Sequence, residues 1–285
     1  MPGVAERRAK LRALLGQGKT LFVPGAYDAV SAKLVEHAGF PLVYIGSYAT
    51  AASGFGLPDV GLVSMAEMAD YARAIVNAVS VPVLADAENG FNNAANIWRT
   101  VREFEQAGVA GVHIEDREFG KHAPVRQVLL SLEEMIEKVR AALDSREDPN
   151  FIVIARTDAL RATNDLDEAI RRANAFIEVG ADLVFLPGVT PEQLRPVRQR
   201  IRGKVVVVNT PGSSAQDEEN AGADIVLYYG FCLYAAYRGV QAALAAFVEA
   251  RNQNEVRDLL ADVGEFEEFI GYETFIRRAK RHGLA

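Results

Sequence analysis

The feature that most constrains this chain is a rhythm. Eight short runs rich in apolar and β-branched residues alternate with longer amphipathic stretches. The runs fall at 21–27, 41–47, 81–88, 111–117, 151–157, 182–188, 204–210 and 224–230. Each is nearly continuous in apolar side chains, as expected of parallel strands buried on both faces. The stretches between them carry helix signatures. In SMAEMADYARAIVNAV, Ser64 and Glu67 have capping-box spacing, and Met65, Met68, Ala69, Ala72, Ile75 and Val76 fall on one face. Ser131 and Glu134 repeat the device in SLEEMIEKVRAAL. Gly39, Gly108, Gly180 and Gly222 each close a helical stretch just before a strand. The first three are 69 and 72 residues apart, a weak internal repeat of two βα units. Eight such units in 285 residues predict an α/β fold, a single (β/α)8 TIM-type barrel domain over 1–250 with a helical extension over 251–285. An open doubly wound sheet is the competing architecture. It would usually carry a G-x-G-x-x-G turn after its first strand, where this chain reads VPGAYDA.

Composition narrows the function classes. The formal net charge is −7 and no basic patch stands out, which argues against a nucleic-acid partner. Cys232 is the single cysteine, so no internal disulfide can form, and a reducing cytoplasm fits. The N-terminus lacks an apolar core of signal-peptide length, and no stretch approaches the ~20 apolar residues of a membrane span. These readings predict a soluble cytoplasmic protein with no membrane partner. Beyond the eighth barrel helix, Phe266, Phe269, Ile270 and Phe275 form an apolar stripe that needs a surface to cover, its own barrel or a neighbouring subunit.

In such a barrel the chemistry sits where the strands end. The polar residues there are Ser47 and Tyr48 after Gly46; Asp86 and Glu88; Glu115 and Asp116; Arg156, Thr157 and Asp158; and Asn209, with Asp59 in the loop after the second run. Asp86 and Glu88 are two residues apart and are expected on the same strand face, with Glu115 on the adjacent strand. Carboxylates this close repel unless neutralised, and a hard divalent cation such as Mg2+ would do so. The competing reading is that these acids cap helices or pair with arginine.

These segments carry a resemblance. PGAYDAVSAKLVEHAGF, GLPD, PVLADAENGF, GVHIEDREFGK and IARTDA occur in this order across residues 20 to 210. Together they resemble the isocitrate lyase/phosphoenolpyruvate mutase superfamily, whose members are Mg2+-dependent barrels acting on C–C or P–C bonds next to an enolpyruvate-like group. The resemblance implies Asp86 as a direct metal ligand (Mg2+, or Mn2+), with Glu88 and Glu115 acting through waters. Asp59 would reach the metal waters or substrate. The Ser47 and Tyr48 amides would hold a substrate carboxylate, with Tyr44 and Gly46 beside them and Asn209 opposite. Arg156 would face the developing enolate, and Lys121 would open a gating loop. It also implies a homodimer or homotetramer, with the last helices swapped between subunits.

The chain departs from the pattern at several points. Glu88 stands where Asp is usual, and Asn92 where Gly is usual, a residue type that tolerates positive φ. The lyase branch carries K-[KR]-C-G-H in its loop, with Cys as an acid; here the loop reads Lys121-His122-Ala123-Pro124-Val125, leaving His122 as the candidate substitute. The mutase and hydrolase K-T-N-S is absent too, and Pro187-Gly188 replaces the usual acid near the sixth strand end. The leading expectation is therefore a Mg2+-dependent lyase or decarboxylase acting on a small 2-oxo or 2-hydroxy dicarboxylate. Decarboxylation is favoured because it needs no loop acid, and isocitrate or 2-methylisocitrate should be poor substrates. Phosphonopyruvate mutase or hydrolase chemistry and a non-catalytic metabolite-binding barrel are the alternatives. His113, Cys232 and Trp98 are expected to pack.

Overall fold

The computed structural model describes residues 1–118 and 128–284. It divides into two compact units, Met1–Cys232 and Leu233–Ala285.

The first unit is a closed parallel barrel. Its strands are β1 (Leu21–Ala26), β2 (Val43–Ile45), β3 (Val83–Asp86), β4 (Gly111–Glu115), β5 (Ile152–Arg156), β6 (Leu183–Phe185), β7 (Lys204–Val208) and β8 (Ile225–Tyr228). They pair in sequence order, and β1 closes on β8 with Leu21 opposite Ile225. All eight predicted strands are present, each one to four residues shorter than its apolar run. Helices cover the outside, and two apolar layers result. Alternate strand residues such as Val112, Ile114, Val153 and Ala155 pack outward against the helices. Their neighbours Tyr44, Leu84, Ile154, Phe185 and Leu227 point inward. Leu11 and Leu15, from the N-terminal helix Val4–Gly16, join the inner layer.

The predicted capping boxes form. Ser64 Oγ accepts the Glu67 amide at 3.4 Å while Glu67 Oε2 accepts the Ser64 amide at 2.8 Å, and Ser131 and Glu134 do the same. On the helix Met65–Val76, Met68, Ala69, Ala72, Ile75 and Val76 are buried as the spacing predicts. The four pre-strand glycines all take positive φ, 86° to 106°, the left-handed C-terminal position a side chain would strain. Cys232 packs partly buried against the outer layer. Trp98 does not pack as expected: it is half-exposed, because its helix Ile97–Ala107 buries Ile97, Val101 and Phe104 instead.

The second unit contains most of the helix Phe231–Ala250, then Val263–Ile270 and Tyr272–Arg281. Contrary to the sequence expectation, Phe231–Ala250 is long and apolar enough, by length and composition, to cross a membrane. None of its residues is buried. Phe266 and Phe275 of the predicted stripe are exposed.

Close strand approach makes one glycine a sensitive position. A Cβ at Gly25 in β1 would lie 2.2 Å from the Tyr229 carbonyl oxygen. Gly25→Ala should therefore destabilise the protein by about 1–3 kcal/mol. The control Gly239→Ala, in a helix with nothing within 4 Å, should be neutral or stabilising. Urea unfolding of both variants checks this.

Candidate active site

The two-residue period of the barrel strands builds the site. Inward-pointing Leu84, His113 and Ile154 are each followed two residues later by Asp86, Glu115 and Arg156, so all three charged groups emerge on the inner face at the strand ends. Register fixes the neighbours: Asp86 lies opposite His113, and Glu115 opposite Arg156. Beneath them is an aromatic floor. The Tyr44 and His113 rings stack at 5.8 Å, and His113 meets the Phe185 ring edge-on at 5.1 Å. His113 had been expected simply to pack. It is buried, but it faces the barrel interior, hydrogen-bonds Tyr44 Oη through Nε2 at 2.9 Å and sets Nδ1 3.5 Å from Asp86 Oδ1. The signal that would have found it is the same alternation that places Glu115.

Asp86 is held from two sides. Ser47 donates to Asp86 Oδ2 from its hydroxyl at 2.9 Å and its amide at 3.4 Å, while the Glu88 amide donates to Oδ1 at 2.8 Å. The Ser47 hydroxyl also lies 3.1 Å from Asp59 Oδ2, so the loop aspartate joins the strand-end aspartate through one serine. Both aspartates are buried. Glu88 does not share the strand face of Asp86. β3 ends at Asp86, and the chain then turns through positive φ at Glu88 (52°) and Phe91 (56°). The positive φ expected at Asn92 is thus taken by its neighbours. Among the described residues, no group of three or more His, Cys, Asp or Glu side chains could hold a metal ion. Asp86 takes hydroxyl and amide donors, and Glu115 takes a guanidinium.

Arg156 is the charged centre of the other wall. Its Nη1 lies 3.0 Å from Glu115 Oε2, and its Nε and Nη2 grip Asp158 at 2.9 and 3.1 Å. The guanidinium also lies 5.2 Å over the Phe185 ring. Burial alone would lower its pKa, but Asp158, Glu115 and Asp86 outweigh that and hold it well above the usual arginine value. Behind it, burial raises the Asp116 carboxyl, opposed by the Thr157 hydroxyl, the Asp158 amide and Arg172.

These groups open into one cavity. Tyr44, Gly46, Ser47, Tyr48, Asp59, Asp86 and Arg156 line it, all of them anticipated from the sequence. Asn209 follows β7 directly, and Val208 lines the cavity on that side. Arg161, Pro187 and Tyr229 also line it and were missed. Arg161 leaves a short helix, Ala159–Thr163, one turn beyond β5, where no strand periodicity points to it. Tyr229 packs edge-on against Tyr48 at 5.6 Å. Lys121 and His122 lie outside the described residues.

The donors in this cavity fit a small hard cation. Asp86, Asp59 and Ser47 offer only oxygen, and Mg2+ characteristically takes one or two carboxylates while keeping several waters.

Comparison with known proteins agrees with this geometry. Residues 11–248 match the family model described as phosphoenolpyruvate phosphomutase. Among curated proteins, the chain is 38% identical to 2,3-dimethylmalate lyase of Eubacterium barkeri, over 93% of this chain and 94% of that protein. It is 35% identical to 2-methylisocitrate lyase of Shewanella oneidensis over 93% and 94%. It is also 38% identical to oxaloacetate decarboxylase of Rhodopseudomonas palustris over 72% and 71%. Among solved structures, phosphonopyruvate hydrolase in complex with oxalate and Mg2+ superposes with a TM-score of 0.87 at 30% identity, covering 98% of this chain and 99% of that one. With its family model matched along most of its length, and with the strand-end motifs standing in one cavity, the chain belongs to the phosphoenolpyruvate phosphomutase family.

Proposed function

We propose that this chain is a lyase that breaks a carbon–carbon bond of a small 2-oxo or 2-hydroxy dicarboxylate and passes through an enolate. The observation that carries the reading is one cavity holding two walls of opposite character: the oxygen donors Asp86, Asp59 and Ser47, and the buried guanidinium of Arg156. An enolate needs both. Its oxygen and carboxylate are anionic, so they call for a fixed positive charge in a site of low dielectric. The relatives named as lyases and decarboxylases support the class of reaction.

For a 2-oxo diacid, the bond between C3 and the distal carboxyl carbon breaks. Its electron pair moves into the C2–C3 bond while carbon dioxide departs neutral, and the negative charge settles on the C2 oxygen. Arg156 is the fixed cation facing that charge, and the stack of Tyr44, His113 and Phe185 keeps the floor dry. A proton taken up at C3 completes the 2-oxo acid. Asp86 would hold Mg2+ (or Mn2+) directly, with Asp59, Glu88 and Glu115 acting through waters. The cation would supply Lewis-acid stabilisation to the same developing charge. The Ser47 and Tyr48 amides would position the substrate's proximal carboxylate beside Tyr44 and Gly46, with Asn209 near the rim. Lys121 and His122 are proposed for the loop that closes over the substrate. Decarboxylation asks least of that loop, because it releases no carbanion that a loop acid must quench.

The exposed apolar face of Phe231–Ala250 supports an assembly. Phe231, Tyr237, Val240, Leu244 and Val248 are all strongly exposed, and apolar surface of this extent on one helix marks an interface. Helices of the Leu233–Ala285 unit would pack on a second copy, giving a cytoplasmic homodimer or homotetramer rather than a membrane span.

Four outcomes are expected. Purified protein with Mg2+, offered oxaloacetate, 2,3-dimethylmalate, 2-methylisocitrate and phosphonopyruvate, should release pyruvate from a diacid fastest. Release from phosphonopyruvate alone would move the chemistry to the P–C bond, and turnover of none would favour a binding barrel. Arg156→Met should lower kcat by about 10²–10³, and Asp86→Ala should weaken Mg2+ binding in calorimetry, where equal affinity would contradict the assignment. Light scattering should give a mass above that of one chain, reduced by Leu244→Glu; a monomeric wild type refutes the interface.

A further inference from the structure

A second arginine in the cavity remains without a role. Arg161 lines the cavity together with Pro187, Tyr229 and the two aspartates. Its side chain is 36% exposed, and its ion pair with Asp158 is long, at 3.6 Å. Asp158 is also shared: Arg156 lies 2.9 Å from it and Arg117 3.5 Å. Of the three guanidiniums around Asp158, Arg161 holds the longest ion pair. Crowding by like charge is felt at Arg161 itself. Burial lowers its pKa first, Asp158 opposes this, and Arg156 and Arg117 push further down. A partly exposed guanidinium that lines the cavity and is paired only at 3.6 Å is open to an anion from outside.

The end of β6 makes room for it. Gly188 takes φ 89°, and a Cβ there would lie 3.2 Å from Arg161 Nε and 3.5 Å from its Cγ. A side chain at 188 would press on the arginine, and an acid there would neutralise it. Pro187-Gly188 therefore leaves the guanidinium its space and sets no acid of its own beside it.

We infer that Arg161 is the specificity-determining residue for the far end of the substrate, binding the distal carboxylate of the diacid in the cavity. The inference rests on the diacid reading of the site given above. The aspartate wall and Arg156 take the 2-oxo or 2-hydroxy carboxylate end, and Arg161 takes the other end. Recognition at this subsite selects diacids over monoacids of equal length.

The test uses the full chain with Mg2+ and three probes in calorimetry, each first checked by NMR to survive the titration unchanged: malate, 2-hydroxybutyrate and oxalate. The first two share a four-carbon 2-hydroxy-acid skeleton and differ by the distal carboxylate; oxalate mimics the proximal end alone. Wild type should prefer malate to 2-hydroxybutyrate by about tenfold or more, the worth of one charge-assisted contact. Arg161→Met should lose that preference while binding oxalate within about twofold of wild type. Arg161→Lys should keep part of it. A malate preference unchanged in Arg161→Met overturns the assignment. So does a wild type with no preference, or an oxalate affinity that falls in parallel. A wild type that binds neither oxalate nor malate would instead overturn the diacid reading on which the inference stands.

Discussion

The buried contact between Arg156 and its carboxylates organises this site. A charged guanidinium taken out of water is costly unless it is paired and hydrogen-bonded. Here Glu115 holds one side at 3.0 Å and Asp158 grips the other with two hydrogen bonds. Removing one partner of such a pair typically costs about 3–5 kcal/mol, because the other is left buried and uncompensated. The arrangement also ties three strand ends together. Glu115 belongs to β4, Arg156 to β5, and Phe185 beneath the guanidinium to β6. A cation held this firmly does not reorganise when charge develops in front of it, which is the requirement for electrostatic stabilisation of an enolate.

The same economy of register appears on the aspartate side. One serine, Ser47, joins a residue of the β2 end to Asp86 of β3 and Asp59 of the following loop. Tyr44, His113 and Phe185 carry the contact chain across the barrel interior from β2 through β4 to β6. The cavity is thus lined by the rings of Tyr44, Tyr48 and Tyr229 and by charges of both signs. Oxygen donors and guanidiniums share one lining: Asp59, Asp86 and Ser47 with Arg156 and Arg161.

Much of this was legible in the sequence, for identifiable reasons. Burial on both faces leaves parallel strands as near-continuous apolar runs, so all eight could be counted. Polar residues at the strand ends then pointed to Asp86, Glu115 and Arg156, and the capping boxes at Ser64 and Ser131 located helix starts from side-chain chemistry alone. What failed was local. The alternation rule was carried past the end of β3, and positive φ at Glu88 turned that carboxylate off the strand face. The rule was not carried far enough at His113, which shares the inward face of Glu115 yet was read as packing. Arg161 could not be found this way, since it sits on a helical turn and owes its place to Gly188, a residue from another strand end. The apolar length of Phe231–Ala250 was present in the sequence but was read as an ordinary barrel helix; its exposure belongs to the three-dimensional structure.

The central claim is that bond cleavage here leaves an enolate stabilised at the Arg156 wall. It is tested most directly by running the reaction in D2O with whichever 2-oxo diacid is turned over, and reading the released 2-oxo acid by NMR in the first turnovers. An enolate quenched at C3 by an exchangeable proton predicts one deuteron at that carbon in each product molecule. Product that carries no deuterium at C3 would contradict the account.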